Sequence, residues 1–120
     1  MKLDELNVYR LSMEMGEMVW GIVEKWNYFE RDTIGKQLVR ASDSVAANIA
    51  EGYGRYYFKE NKQFCYYSRG SLFETKTWIA KAKNRQLIND ETYHNFENHF
   101  NIFIIKLNNY IKSIGPTNDQ

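Results

Sequence analysis

The sequence has little of what marks secreted, membrane-bound or redox-active proteins. Its 120 residues include one cysteine, one proline and two histidines. A lone thiol, Cys65, cannot close an internal disulfide, which is typical of a reducing compartment, and we expect it to be a buried small hydrophobe rather than a reactive thiol. No run approaches the roughly 20 apolar residues that cross a membrane, and residues 1–6 have no apolar signal core. We therefore expect a cytoplasmic protein with no membrane partner.

The motifs of common catalytic and metal sites are also missing. His94 and His99 lie five residues apart, so on a helix they point about 140° apart, whereas a helical metal pair needs a spacing of three or four. No glycine-rich phosphate loop follows a strand, and no Gly-x-Ser-x-Gly elbow is present. The sequence therefore predicts no enzyme, no metal site and no cofactor.

Charges of the two signs nearly cancel, to a net +1, but they are unevenly placed. Residues 33–85 carry ten basic and four acidic side chains, while both flanks are acidic. Such asymmetry indicates nucleic-acid contact. A solvated helical face explains it equally well.

Apolar residues recur at steps of three and four along most of the chain, which is the period of amphipathic helices. The pattern predicts a single domain over 1–120, an all-α, antiparallel, up-down-up-down four-helix bundle with helices near 4–27, 33–54, 59–84 and 90–113. Three short connections make successive helices antiparallel neighbours. We expect residues 28–32 to form the first loop, Asp32 or Thr33 to cap the second helix, and Asn89 or Asp90 to cap the fourth. The Gly52-Tyr53-Gly54 segment permits a left-handed end to the second helix, and residues 117–120 form a polar tail.

The second helix is central to the interpretation because its core-facing side is small. Ala41, Ser44, Val45 and Gly52 lie along it and permit close packing by a neighbouring helix. Asn48 lies in the same seam, where an unsatisfied carboxamide would cost about 1–3 kcal/mol. We expect Asn48 to find partners there and to fix the register.

The same region carries a family resemblance. It resides in residues 37–41, in residues 44–55 with their Asn-Ile-Ala-Glu-Gly core, and in the Arg-Gly-Ser-x-x-Glu of residues 69–74. These segments resemble the bacterial four-helix bundle family that includes proteins encoded in intervening sequences of 23S rRNA genes, and are similar to the accessory variability determinant of diversity-generating retroelements. The resemblance implies a ring-shaped homo-oligomer, with a pentamer as the first guess, and a nucleic-acid or ribonucleoprotein role in a ribosomal RNA or reverse-transcriptase context.

Several polar residues have structural interpretations. If helices two and three form an antiparallel hairpin, Arg40 lies level with Glu74, and we expect a geometry-fixing ion pair there rather than a catalytic one. Glu51 and Arg55 are spaced for a surface pair. Gly70, in the middle of helix three, is expected to let another helix come close.

Basic side chains recur along helices two and three and form the candidate nucleic-acid site. They are Lys36, Arg55, Lys59, Lys62, Arg69, Lys76 and Lys83, the last four at seven-residue steps. Such a stripe follows a phosphate backbone with strong salt dependence and little sequence selectivity. The nearby tyrosines 53, 56, 57 and 66 either stack on unpaired bases or belong to the core.

Helix four has the cleanest seam, from Tyr93 to Ile114, and carries more apolar surface than one seam uses, including Ile102 and Ile105. We therefore expect self-association through a second contact surface. Two functions remain: a non-enzymatic, oligomeric nucleic-acid-binding accessory protein or ribonucleoprotein scaffold that contacts RNA or DNA, and a protein–protein scaffold that binds no nucleic acid. The near-neutral total charge favours the second. The basic middle segment favours the first, which we prefer.

Overall fold

The computed structural model describes residues 1–116 as an all-α, antiparallel, up-down-up-down four-helix bundle with no strand in that range. A 3₁₀ turn, Leu3–Glu5, precedes α1, Asn7–Val23. An α-helical turn, Tyr28–Glu30, a π-helical turn, Arg31–Gly35, and the α-helix Lys36–Tyr53 follow without a break, and together form α2. α3 is Phe58–Asn84 and α4 is Asp90–Ser113. The bundle is a rod of 53 × 23 × 21 Å. The polar tail at 117–120 lies outside the described residues.

The start of α2 corrects the sequence interpretation, because residues 28–32 are helical and not a loop. Asn27 is the cap: its Oδ1 accepts a hydrogen bond from the Glu30 backbone N–H at 3.3 Å. Neither Asp32 nor Thr33 caps α2 as expected. Asp32 pairs with Lys36, and the Thr33 hydroxyl donates to the Phe29 carbonyl. A π-helical turn shifts the phase of a helix. The shifted apolar period is what made this segment resemble a loop.

Within residues 1–116, the left-handed backbone conformations lie elsewhere than expected. Gly54 is right-handed at φ −79°, and its N–H bonds to the Ala50 carbonyl. The positive angles belong instead to Gln86, at φ 62°, and Gly115, at φ 105°. After α3 the Leu87 N–H bonds back to the Ala82 carbonyl across Gln86, which is the usual geometry of a left-handed helix end.

One side of each helix is fully buried at the centre of the bundle. α4 supplies the largest side chains there, Phe96 and Phe103, followed by Leu107. The other three helices contribute Met15, Val19, Leu38, Val45, Ile49, Leu72 and Ile79. At about 1.5–3 kcal/mol for each large apolar side chain removed from water, this layer is the main stabilising term. No helix within residues 1–116 has the length and apolar character needed to cross a membrane.

The α2–α3 hairpin is held by small and polar side chains. The buried Ser68 hydroxyl donates to the Val45 carbonyl at 2.8 Å, and Ser44 donates to the Ser71 hydroxyl at 2.6 Å. Asn48 does not cross the seam as expected, since its amide donates to the Ser44 carbonyl of its own helix at 2.8 Å. The serines, whose hydroxyls reach across, link the two helices instead.

Glycine has its packing role at Gly52 and not at Gly70. A Cβ at Gly52 would lie 2.7 Å from Asn61 Oδ1, 2.9 Å from the Asn61 carbonyl oxygen and 3.0 Å from Phe64 Cβ. Gly70 is exposed, and a Cβ there would meet nothing within 4 Å. The expectation that Gly70 admits another helix of this chain is therefore wrong.

Candidate nucleic-acid interface

The basic stripe of α3 lies beside α4, and its carboxy-terminal half is tied to acidic residues there. Lys76 Nζ lies 3.3 Å from Glu97 Oε2, and Lys83 Nζ lies 2.8 Å from Asp90 Oδ1. The hydrogen bond to Asp90 raises the pKa of Lys83, and the same bond lowers the pKa of Asp90. Lys76 also lies 4.4 Å from the Phe100 ring centroid. These two cations already have anionic partners.

Two more members of the predicted site are in local pairs on α2. Lys36 Nζ lies 2.8 Å from Asp32 Oδ1. Arg55 Nη2 lies 3.1 Å from Glu51 Oε1, which is the pair that their spacing predicts, and its guanidinium lies 4.8 Å from the Phe64 ring centroid. Exposed pairs four residues apart are worth only about 0.3–0.5 kcal/mol. Such pairs exchange readily for a phosphate.

The amino-terminal half of the stripe has a different environment. Arg69 Nη1 donates to Asn108 Oδ1 at 2.9 Å, and its guanidinium lies 5.2 Å from the centroid of the exposed Tyr66 ring. A cavity of about 410 Å³ opens here, lined by Tyr66, Arg69, Asn108, Ile111 and Lys112, and we call it the α3–α4 groove. Its lining contains two cations and no carboxylate.

Lys59 and Lys62 precede the α3–α4 groove on the same helix. Lys62, Tyr66 and Arg69 follow at steps of four and three, so they share one face of α3. Lys59 is exposed and Lys62 is half-buried. Neither forms an ion pair within residues 1–116. Among the members of the predicted stripe on α3, those without an ion-pair partner within residues 1–116 are therefore the three nearest its amino-terminal end, Lys59, Lys62 and Arg69.

Arg40 and Glu74 do not pair, which corrects the sequence interpretation. The hairpin register is close to the expected one, as Ser44 opposite Ser71 shows. Arg40 and Glu74 are therefore nearly level along the two helices, but their side chains do not point towards each other. Arg40 lies on the α1 side of α2, where it lines a second groove with Lys36. Glu74 is exposed on α3 and accepts a hydrogen bond from Trp78 Nε1 at 3.1 Å.

The tyrosines predicted near the stripe divide between surface and core. Tyr56 and Tyr57 are 88 % and 64 % exposed in the turn after α2, and their rings meet edge to face. Tyr53 is partly buried against the core, and its hydroxyl donates to the Met1 carbonyl. Only Tyr66 lines the α3–α4 groove.

The remaining candidate side chains for chemistry are separated from one another. Cys65 is fully buried, and its burial raises the pKa of the thiol to about 11. His94 is exposed, whereas His99 is mostly buried, with Nε2 3.4 Å from Glu14 Oε2. The expectation of a buried, inert thiol agrees with this environment.

Sequence reasoning missed the contribution of α4 to the α3–α4 groove. Asn108 and Lys112 lie one turn apart, and antiparallel pairing of α3 with α4 places them beside Arg69 and the residues before it. A sequence signal for this register exists, because one antiparallel alignment of α3 with α4 places Lys76 level with Glu97 and Lys83 level with Asp90.

Comparison with known proteins agrees with the fold. A family model described as 23S rRNA-intervening sequence protein matches residues 4–109. A crystal structure of a protein of unknown function from the S23 ribosomal protein family of Bacteroides thetaiotaomicron is similar, with a TM-score of 0.78 and 20 % identity, over 88 % of this chain and 99 % of that one. At that identity the likeness concerns the fold alone. No curated protein matches the sequence.

Proposed function

The chain belongs to the 23S rRNA-intervening sequence protein family, and from this premise we propose that it is a non-enzymatic, oligomeric bundle that binds the backbone of RNA. The supporting observation is the α3–α4 groove, where Arg69 and Lys112 flank the exposed ring of Tyr66 without a carboxylate. Cations beside an aromatic face are the usual elements of a single-strand site. The family description names a gene context and not a ligand, so the groove is the feature that carries the proposal.

The chemistry of the groove suits phosphate. A guanidinium has five N–H donors, and the Asn108 bond uses one of those on Arg69, so the rest are free to bond phosphate oxygens. Lys62 and Lys112 supply point charges on either side, and Tyr66 offers a stacking surface for an unpaired base. No part of this arrangement reads base edges, so we expect weak sequence selectivity.

We further propose that the bundle self-associates and thereby repeats the groove. Ile102 and Ile105 on α4 are 54 % and 61 % exposed, which is unusual for isoleucine unless a partner covers it. Several grooves held together bind one RNA far more tightly than a single groove does. Light scattering is expected to give a multiple of 14.3 kDa, and Ile102→Lys with Ile105→Lys is expected to lower it. A pentameric ring, the cytoplasmic location and a link to retroelement reverse transcriptases remain predictions from the resemblance and the sequence.

A protein scaffold without nucleic acid is the second candidate. It is favoured by the pairing of Lys76 and Lys83 with acidic residues of α4 and by the net charge of +1. Both reduce the attraction of the surface for phosphate.

RNA titration distinguishes the two candidates. Labelled single-stranded RNA and duplex DNA are titrated at 50 and 200 mM salt. Three phosphate contacts give a slope of about −2 for a single strand in log affinity against log salt, so each groove should weaken by roughly 20-fold over that range. The change Lys62→Glu, Arg69→Glu and Lys112→Glu is expected to abolish binding.

The matched control is Lys2→Glu, Arg10→Glu and Lys25→Glu, which makes the same charge change at exposed residues outside the lining of the groove. It is expected to retain binding, and circular dichroism establishes that both variants fold. No binding at 50 mM salt, or equal loss in both variants, would move the assignment to the protein scaffold.

A further inference from the structure

A second groove opens on the opposite side of the bundle, between α1 and α2, with a volume of about 670 Å³. Three cations line it, Arg31, Lys36 and Arg40, over an apolar floor of Val23 and Val39. Asp43 lies at its far end. We call it the α1–α2 groove.

The π-helical turn explains why the three cations meet. Arg31 and Lys36 are five residues apart, and on a regular α-helix they would diverge by about 140°. A π-helical turn bonds residues five apart, and Arg31–Gly35 is such a turn, so Arg31 and Lys36 face the same groove. Lys36 and Arg40 are then one α-helical turn apart. π-Helical turns are frequent at functional sites for this kind of reason.

The three positive charges are only partly compensated. Lys36 pairs with Asp32 at 2.8 Å, whereas Arg31 and Arg40 have no ion-pair partner within residues 1–116. The bond to Asp32 raises the pKa of Lys36, and the nearby charge of Arg40 opposes that rise. Asp43 forms no ion pair with either arginine within residues 1–116, and its pKa is raised, first by burial and then by Glu17. An anion between the cations would relieve their repulsion.

An apolar pocket of about 190 Å³ continues the α1–α2 groove and shares Val23, Arg31 and Val39 with it. Its other walls are Trp20 and Glu24. The Trp20 side chain is 55 % exposed, which is a large apolar surface to leave in water. An aromatic ring on a ligand would cover it at a favourable stacking geometry.

We propose that the α1–α2 groove binds an unpaired nucleotide, with its phosphate between Arg31, Lys36 and Arg40 and its base against Trp20. Arg31 belongs to both pockets, so it is placed between the phosphate and the base. Glu24 lines the same pocket as Trp20, and its carboxylate can accept a hydrogen bond from an exocyclic amino group, so we expect adenine, cytosine or guanine to be favoured over uracil. The nucleotide comes from one of two sources, a free mononucleotide or an unpaired residue of a single strand.

This proposal does not rest on RNA binding at the α3–α4 groove. α1 and α2 form one side of the bundle, and α3 and α4 form the other. No residue is shared between the linings of the two grooves. Either site can therefore fail while the other stands.

The three tryptophans allow a direct test by NMR, because each gives one indole N–H signal. Trp26 Nε1 donates to the Leu87 carbonyl and Trp78 Nε1 to Glu74, so both serve as internal references away from the groove. Adenosine monophosphate, adenosine, uridine monophosphate, inorganic phosphate and a 5′-phosphorylated oligoadenylate are titrated separately. Adenosine monophosphate is expected to shift the Trp20 signal at lower concentration than adenosine, phosphate or uridine monophosphate.

Variants locate the site. Arg31→Gln with Arg40→Gln is expected to weaken the binding of adenosine monophosphate at least tenfold. The exposed pair Lys2→Gln with Arg10→Gln is the matched control and should bind as the unchanged chain does. The triple variant of the α3–α4 groove is also expected to bind normally, which separates this site from the proposed function.

The outcomes assign the source or overturn the proposal. If oligoadenylate shifts the Trp20 signal well below the concentration that adenosine monophosphate requires, the source is a strand; if the two are equal, a mononucleotide suffices. A Trp20 signal that no probe moves at millimolar concentration, or a shift indifferent to the arginine double variant, overturns it. So does a Trp20→Lys variant that changes from oligomer to monomer in light scattering, because a second copy would then cover the groove.

Discussion

Two glycines of the α2–α3 hairpin give a prediction with opposite signs for the same substitution. Gly70→Ala adds a methyl group to open space in the middle of α3, so it gains the helix propensity of alanine, about 0.8–1 kcal/mol. Gly52→Ala places its methyl group 2.9 Å from the Asn61 carbonyl oxygen and 3.0 Å from Phe64 Cβ. Backbone atoms cannot swing away, so α2 and α3 must separate, at the usual overpacking cost of about 1–3 kcal/mol.

The net expectation is a gain of about 1 kcal/mol for Gly70→Ala and a loss of about 1–3 kcal/mol for Gly52→Ala, because Gly52 lies one residue before the end of α2, where helix propensity counts little. Urea denaturation followed by circular dichroism measures both, at one protein concentration, because self-association makes apparent stability depend on concentration. In thermal melts of the same samples, the melting temperatures of the two variants should differ by roughly 6–15 °C for a chain of this size. Gly21→Ala in α1, where a Cβ also meets nothing within 4 Å, is the matched control and should stabilise.

The reasoning is refuted if Gly52→Ala is as stable as the unchanged chain, since the hairpin would then be loose enough to accept a methyl group. A destabilising Gly70→Ala would contradict the open surface of α3. It would indicate that another subunit packs against that face.

Three further predictions concern a cap, a thiol and a carboxylate. Asn89→Ala removes the Oδ1 that accepts the Thr92 N–H at 2.8 Å, so the free energy of unfolding should fall by about 1 kcal/mol, and an equal stability for Asn89→Asp would support the cap assignment. The Cys65 thiol, buried and with its pKa raised to about 11, should resist a thiol reagent at pH 8 until urea unfolds the chain; rapid labelling of the native chain would contradict its burial. Burial, and then Glu17, raise the pKa of Asp43 in the folded chain, so ionisation of this carboxyl lowers the free energy of unfolding. The loss is complete above the pKa of Asp43 in the folded chain and absent below its pKa in the unfolded chain. Asp43→Asn should therefore stabilise the chain at pH 7 and lose that advantage as the pH falls through the carboxyl range, and pH-independent melting curves would oppose this.

The parts of the fold that follow from local periodicity were predictable. α3 and α4 lie within a residue of their expected bounds, because their apolar seams run without a change of phase and Asn89 caps the second of them. The start of α2 was not predictable in this way, since the π-helical turn Arg31–Gly35 changes the phase within one helix. A helical period carries no signal for such a turn.

The candidate site was harder to predict from the sequence, because it depends on which residues of the neighbouring helix face each side chain. A seven-residue step places Arg69, Lys76 and Lys83 on one face of α3, but their partners lie on α4, where two of them meet carboxylates and one meets Asn108. Finding those partners needs the register of α3 against α4 and not the period of α3 alone. The expectation for Gly70 was wrong for the same reason, whereas the close packing expected at Gly52 is confirmed. Both are helical glycines, and only the distance to a neighbouring backbone distinguishes them.

The serine bonds between α2 and α3 also bear on the order in which the chain folds. Their partners lie 23 and 27 residues apart in sequence, whereas Trp26, in the turn after α1, bonds Leu87 across 61 residues. Closing the shorter loop loses less chain entropy, so we expect the α2–α3 hairpin to form in the transition state and the contact between Trp26 and Leu87 to form later. Folding kinetics test this: Ser68→Ala should mainly slow folding, while Trp26→Phe should mainly speed unfolding, and the reverse pattern would exclude this order. The segment with the clearest family resemblance would then also be the one that organises the rest of the chain as it folds.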